Sequence, residues 1–550
     1  VHSLNSRAAR LLGIFAATLL LTAGCFSGAS SSDKTDKNVN QQKDAGPPES
    51  GGVMRIPTPS DPPSLDPIKD SSFQTMFAIG YTYSKLVDYK IGKDVPYGTD
   101  QLEGDLAEKW DMSKDGLTWT FHLRKGVKWQ NVAPVSGREF TSKDVACTIS
   151  AIKERGHQKA DVSAVSSVET PDDYTVIFHL DSPYPDLAYK LAGNNLWMLP
   201  CEGTTGQFNM AEQAIGTGPF ILKQWVKSKV RNYVKNPDYY VAGKPYLDGV
   251  EYDFIPDTAA AIAGFRTGKL DVVATISDMQ TVNSVLKTNP DVYLSKELGS
   301  PVFVFMNMGE KPFQDIRVRK AIAMAIDREG MMKNVRPGGK LMGPIASSIP
   351  GALSQKEFGP LEPYDPKKAK ELLAGAGYPD GFETSMMTTT GYGEAVVNEA
   401  QWIQQDLAKI GIKAKIDVQD YATYITKSWP NKTYQMGSGL QTPGLTADDY
   451  LMNLYYSTGP RNWYNIDDPK LDQMIIDQRK ILDPDKRIAE LKEIQKYIIS
   501  NVMNPVMLYQ YNQLTLYAGY IHDIYPQPEY GYRHVMNMWM DKTAPTRSGK

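Results

Sequence analysis

Reactive side chains are few and scattered in this 550-residue chain, which holds three Cys and six His. The histidines are His2, His122, His157, His179, His522 and His534, and two of them fall on alternating apolar stretches, where surface or hydrogen-bonded packing explains them better than metal or acid–base work. The carboxylate pairs Asp172-Asp173, Asp448-Asp449 and Asp467-Asp468 adjoin Pro or loop residues, the setting of turns and helix caps rather than of general acid catalysis. Gly216-Thr217-Gly218 lacks the third Gly of a dinucleotide fingerprint and runs into Pro219, so it reads as a tight turn entering a strand. No phosphate loop, nucleophile elbow, zinc helix or C-x-x-C pair occurs. The expectation is a chain without catalytic residues, metal or cofactor. In an oxidising compartment Cys147 and Cys201 form either a disulfide or two buried free thiols, and the sequence leaves both open.

Aromatic surface is plentiful, with 31 Tyr, 9 Trp and 16 Phe. Tyr joins a large apolar body to a polar tip, which suits a wet, semi-apolar ligand cleft. Clusters fall at residues 421–429, 450–464 and 509–532. Packing at helix and domain junctions accounts for most of them.

The first fifty residues predict an address and a tether. Arg7 and Arg10 precede an uncharged apolar run at residues 11–21, too short for the roughly 20 residues that span a bilayer. The run ends in Leu21-Thr22-Ala23-Gly24-Cys25, which resembles a bacterial lipobox with Thr22 where Leu is usual. Cys25 is then the lipidation site at the end of a 1–24 signal peptide. An ordinary secretory signal is the alternative. Residues 25–52 are rich in Ser, Gly, Asp, Lys, Asn and Gln and cannot offset the entropy of ordering, so they read as a flexible tether. A lipidated Cys25 would hold the chain at the outer face of a cell membrane.

Composition bounds the remainder. A formal net charge of −3 carries no footprint for nucleic acid. Hydrophobic residues at 41%, charged residues at 22% and a mean hydropathy of −0.39 exclude a multi-span membrane protein. The length calls for more than one structural unit.

The pattern alternates strands and helices. Leu117, Trp119, Phe121 and Leu123 predict a half-buried strand, as do Tyr174, Val176, Phe178 and Leu180. Between them, Thr141-Ser142-Lys143-Asp144 predicts a helix start, with Val145, Ile149 and Ile152 on one face and Cys147 on the same helix. Val397, Ile403 and Leu407 predict a helix over 394–409. Gly411 suits a left-handed cap, and Ile412, Ala414, Ile416 and Val418 alternate as a strand. Asp483-Pro484 opens another helix with Ile488, Leu491, Ile494 and Ile498 inward. Helix followed by strand is an α/β signature.

Several blocks in order carry a family resemblance. Asp61-Pro62-Pro63-Ser64-Leu65-Asp66-Pro67, residues 106–129 with 141–145, residues 214–225, 306–328, 365–382 and 400–416 are similar to signatures of the extracytoplasmic solute-binding proteins of family 5, the receptors of peptide, nickel and opine importers. The likeness runs from about Val53 to about Met540. It implies a two-lobe, periplasmic-binding-protein-like α/β fold of the larger type, with solute enclosed between the lobes. By analogy, lobe I holds residues 53–300, with a subdomain near 98–213, and returns at 513–540. Lobe II holds 301–512, and 541–550 is a tail. Gly299-Ser300-Pro301 and Tyr511-Asn512-Gln513 are the implied hinges. The implied partners are a small solute and an ABC permease with its ATPase, served by a monomer that is not an enzyme. A sensor for a membrane kinase and, more distantly, an exported hydrolase are the other classes.

Ligand type is where the family pattern changes. Peptide-binding members resemble G-W-x-A-D-Y-x-D-P-D-N-F-L, in which the first Asp pairs with the ligand's α-ammonium. Here residues 439–451 read GLQTPGLTADDYL, placing Leu440 for the Trp and Pro443 for that Asp. Either Asp448 or another acid takes over, or the ligand lacks a free amino terminus, as an oligosaccharide or other organic solute would. The same correspondence nominates Leu440, Gln441 and Thr442, then Thr389, Thr390, Gly391 and Tyr392, then Asn194, Asn195 and Trp197, and Ser64 as cleft residues.

Overall fold

Alternating side chains become strands wherever one face is covered. A computed structural model of the chain describes residues 45–547 apart from Ser277 and residues 528–531. The signal segment and Cys25 lie outside the described residues. Thr118–Leu123 buries Trp119, Phe121 and Leu123, and Thr175–Leu180 buries Val176, Phe178 and Leu180. They pair antiparallel in a sheet ordered Ala107–Met112, Thr118–Leu123, Thr175–Leu180, Val165–Asp172. The helix Ser142–Arg155 packs on it through Val145, Ile149 and Ile152. A capping box sets its start: the Thr141 backbone N–H donates to the Asp144 carboxylate at 3.1 Å. Cys147 on this helix is bonded to Cys201. Arg138 binds Asp144 and Glu202, both at 2.6 Å, and so fastens the same two segments by charge.

A second sheet is ordered Val53–Thr58, Gly249–Phe254, Val230–Lys235, Phe220–Val226. The Gly216-Thr217-Gly218 turn leads into its last strand and presses on residues 81–83. A Cβ on Gly216 would lie 1.9 Å from the Thr82 carbonyl oxygen, so close backbone approach, not phosphate binding, requires glycine there.

The largest sheet is ordered Val272–Ile276, Val506–Tyr517, Tyr293–Met306, Met436–Leu440, Glu383–Thr389, Lys413–Gln419. Helix Glu394–Ala408 buries Ile403 and Leu407, and Gly411 at φ +89° turns the chain into the edge strand. That edge position explains the one departure from strict alternation. Ala414 is buried, whereas Val418 is 49% exposed near the strand's free end. Pro484–Tyr497, capped by Asp483, buries Leu491 and Ile494.

The two segments read as hinges are neighbours here. Strands Tyr293–Met306 and Val506–Tyr517 run antiparallel, with Leu298 opposite Asn512 and Pro301 opposite Gln510, and the register breaks between them at Gly299-Ser300. The two ends of the described span also meet, where Arg547 binds Glu49 at 2.7 Å, and nearby in sequence His522 lies 2.8 Å from Asp541. Glu49 of the expected tether and residues 541–547 of the expected tail therefore pack against folded structure. Among the described residues no helix is long and apolar enough to cross a membrane.

Candidate functional site

Short apolar elements from distant parts of the chain enclose a cleft. Helix Phe73–Ile79 presents Phe73 and Phe77 one turn apart, and facing it stand Gly391, Tyr392 and the run Leu440-Gln441-Thr442 at the end of Met436–Leu440. They border a cavity of about 230 Å³. Phe73, Phe77, Ser300 and Gln513 also line an adjoining chamber of about 130 Å³. Together these reach the lower end of the roughly 300–1,000 Å³ typical of small-molecule sites. Gln441 and Thr442 open onto a third recess beside Asn194, Asn195 and Arg461.

One strand face supplies the floor. Tyr511, Gln513, Thr515 and Tyr517 alternate along Val506–Tyr517, the first two in the larger chamber and the last three in the second. The walls touch across the cleft. The Ser60 hydroxyl donates to the Gly391 carbonyl at 3.1 Å, and the Arg461 guanidinium donates both to the Thr442 hydroxyl and to the Ser71 carbonyl.

Charge in the cleft is sparse and placed. Arg336 stacks on Tyr511, 4.0 Å from the ring centroid, and donates through Nε to Glu399 at 2.8 Å, while its buried Nη2 has no partner. Burial works against the guanidinium charge, but the Glu399 carboxylate outweighs it and lifts the pKa above its ordinary value. The buried Gln74 Oε1 on the facing wall likewise lacks a donor. In the second chamber stands Glu297, whose carboxyl is pushed up to about 8 by burial. His534 shares that chamber with Nδ1 unpartnered, and burial pushes it down to about 3, keeping it neutral.

The residues nominated from sequence separate into groups. Gly391, Tyr392, Leu440, Gln441 and Thr442 line the main chamber, and Asn194 and Asn195 line the third recess. Pro443 lines both the second chamber and the third recess. Five nominees, Asp448 among them, lie outside these walls. Ser64 accepts from the Asp66 N–H at 3.1 Å within its own loop, and Thr389 accepts from the Gly391 N–H at 3.0 Å. Thr390 is exposed, and Trp197 is buried under the Lys85 ammonium, 4.9 Å from its ring centroid.

Asp448 requires a correction. The carboxylate is fully buried away from the cleft, accepting from Tyr184 Oη at 2.7 Å and Gln478 Nε2 at 3.2 Å and lying 3.4 Å from both Lys190 and Arg479. Burial pushes its pKa up, but the two cations outweigh it and hold it at about 2. Asp161, Asp449 and Asp448 together hold the buried Lys190 ammonium well above its usual range against desolvation. Asp448 thus completes an internal ion network and has no face toward a ligand. Glu297, Arg336, Gln74 and Gln513 were not nominated. Each stands alone in the sequence, and only strand pairing and chain crossing bring them to one cleft.

Residues 101–463 match the family described as bacterial extracellular solute-binding proteins, family 5 Middle. Di/tripeptide-binding protein 1 of Pseudomonas aeruginosa (strain UCBPP-PA14) is 28% identical over 476 residues, 80% of this chain and 86% of that protein. Oligopeptide-binding protein AppA of Bacillus subtilis (strain 168) is 26% identical over 542 residues, 91% of this chain and 93% of the relative. The solved structure of the ABC transporter-associated periplasmic binding protein DppA from Helicobacter pylori, in complex with peptide STSA, superposes with a TM-score of 0.80 at 27% identity, covering 90% of this chain and 99% of that one.

Proposed function

The chain belongs to the bacterial extracellular solute-binding proteins of family 5, and from that membership we propose that it captures a peptide-like solute in the cleft and delivers it to the permease of an ABC importer. The observation that carries this reading is the cavity of about 230 Å³ between Phe73 and Phe77 on one side and residues 391–392 and 440–442 on the other. Two groups there have unused hydrogen-bonding capacity, Arg336 Nη2 and Gln74 Oε1. A buried polar group without a partner costs free energy that a bound polar solute recovers. The peptide names carried by the relatives support the ligand class.

Lobe I at residues 53–300 and 513–540 and lobe II at 301–512 would close about the paired strands at Leu298–Pro301 and Gln510–Asn512. The break in register at Gly299-Ser300 supports that position. Cys25 would carry the lipid that keeps the receptor at the outer face of the cell membrane.

Pro443 on the cleft wall favours a second reading, a solute without an amine. Native mass spectrometry of the full chain separates the two. A released peptide supports the first reading, and a released sugar or other amine-free solute supports the second. A chain that arrives empty and binds no member of peptide, oligosaccharide and organic-acid panels contradicts the receptor role.

A further inference from the structure

The second chamber is an aromatic box with one acid in it. Tyr97, Tyr252, Tyr517, Phe73 and Phe77 contribute rings, and Glu297 contributes a carboxyl with no hydrogen bond or ion pair among the described residues. The Tyr97 hydroxyl on the same lining is already committed to the Leu298 carbonyl at 2.7 Å. Aromatic faces and a carboxylate both attract a cationic nitrogen, and little else satisfies the two together.

The adjoining chamber is lined by Arg336, bonded through Nε to Glu399, and by the exposed Glu394. Arg336 holds an unpartnered, buried Nη2 there, above the ring of Tyr511. Glu297 stands directly opposite Gln513 in the strand pairing, and Tyr511 precedes Gln513 by two residues on the same face. Two strand residues advance about 7 Å. The carboxyl and the guanidinium are thus separated by on the order of 7–12 Å, the reach of about two to three extended residues.

We infer that the cleft takes a zwitterionic solute of dipeptide to tripeptide length, its cationic nitrogen against Glu297 in the aromatic chamber and its anionic end on Arg336 in the adjoining one. This rests on the reading of the chain as a solute receptor. It also assigns a place for an amine in the chamber that Pro443 lines, where Pro443 itself offers no charge.

The test uses the full chain, stripped of bound solute and refolded, with three probes: a random dipeptide pool, the same pool N-acetylated, and the same pool C-amidated. Titration calorimetry reads the affinities of the wild type, Glu297→Gln, Glu297→Asp and the double variant Arg336→Gln/Glu399→Gln, which leaves no unpaired buried charge. Acetylation is expected to weaken wild-type binding about 10- to 100-fold, and amidation likewise. Glu297→Gln should lose the response to acetylation alone, Glu297→Asp should retain it, and the double variant should lose the response to amidation alone. Unchanged thermal midpoints identify variants that fold. Equal acetylation penalties in wild type and Glu297→Gln, or none in either, overturn the assignment. If no pool binds while an amine-free solute is released from the purified chain, the charge assignment falls and the receptor role stands. If neither occurs and wider solute panels also fail, the receptor role falls.

Discussion

Arg487 clamps Asp186 through both terminal guanidinium nitrogens, the Nη1 bond measuring 2.6 Å, although the two residues lie 301 positions apart. Next to this pair, Lys190 meets Asp161 at 3.1 Å and Asp449 at 2.7 Å, and Arg479 lies 3.4 Å from Asp448. One buried ionic network therefore joins residues 161–190 to residues 448–487. Asp448 holds its centre.

Removing that centre should destabilise the protein rather than abolish recognition of a ligand amine. Asp448→Asn is expected to cost about 3–5 kcal/mol in urea unfolding, because Lys190 and Arg479 lose a buried partner. The response of binding to N-acetylation of the ligand should be unchanged. Because the folded pKa of about 2 lies below the ordinary 3.8, the contribution of Asp448 is present above pH 3.8 and is lost as pH falls toward 2. A variant with wild-type stability would contradict this account.

Arg461 bridges the Ser71 carbonyl on one wall and the Thr442 hydroxyl on the other. Arg461→Gln should weaken solute binding by about tenfold, chiefly through faster dissociation, since the bond forms only when the walls meet. Stopped-flow displacement measures it. A slower association rate with unchanged dissociation would argue against a latch.

Glu297 predicts a pH dependence with a definite sign. Its pKa of about 8 means that the empty cleft holds mostly the neutral acid below pH 8, and an incoming ammonium must release that proton. Affinity for a dipeptide should therefore rise by up to about tenfold per pH unit from pH 6 toward 8, pass through a maximum there and fall at higher pH as the ligand's own amine, with a pKa of about 7.7–8.0, deprotonates. The groups facing Glu297 do not compete in this range: Tyr97, Tyr293 and Tyr517 are raised by burial and His534 stays neutral. Calorimetry in two buffers of different ionisation enthalpy counts the protons released, and Glu297→Gln should flatten the profile.

Cys147 and Cys201 close a loop over a sequence separation of 54 residues. On the chain-entropy model such a loop contributes about 4 kcal/mol. Replacing both with Ala should lower the denaturation midpoint accordingly while leaving solute affinity unchanged, because the bond joins helix Ser142–Arg155 to the segment at Cys201, away from the cleft walls. Loss of affinity without loss of stability would contradict this placement.

Much of the fold was legible because local chemistry decides it. The capping box at Thr141 and Asp144, the Asp483-Pro484 start and the left-handed Gly411 each act over a few residues, and each appears where the pattern places it. The cleft was legible only in part. Leu440, Gln441 and Thr442 end a strand whose partner, Val302, is distant in sequence, and a motif correspondence was needed to find them. Glu297 and Arg336 carried no such mark. Glu297 has no partner among the described residues and Arg336, though bonded to Glu399, keeps Nη2 unpartnered, and both are properties of the assembled walls. Asp448 shows the converse: an acid two residues after a cap is conspicuous in sequence, yet Lys190 and Arg479 consume its charge.

Hydrogen–deuterium exchange on the full chain, solute-free and loaded with the solute released in native mass spectrometry, tests the central claim most directly. Enclosure of a solute between two walls predicts simultaneous protection of helix Phe73–Ile79 and of the segments at 391–392 and 440–442. Protection of one wall alone, or of neither while the solute remains bound, would contradict it.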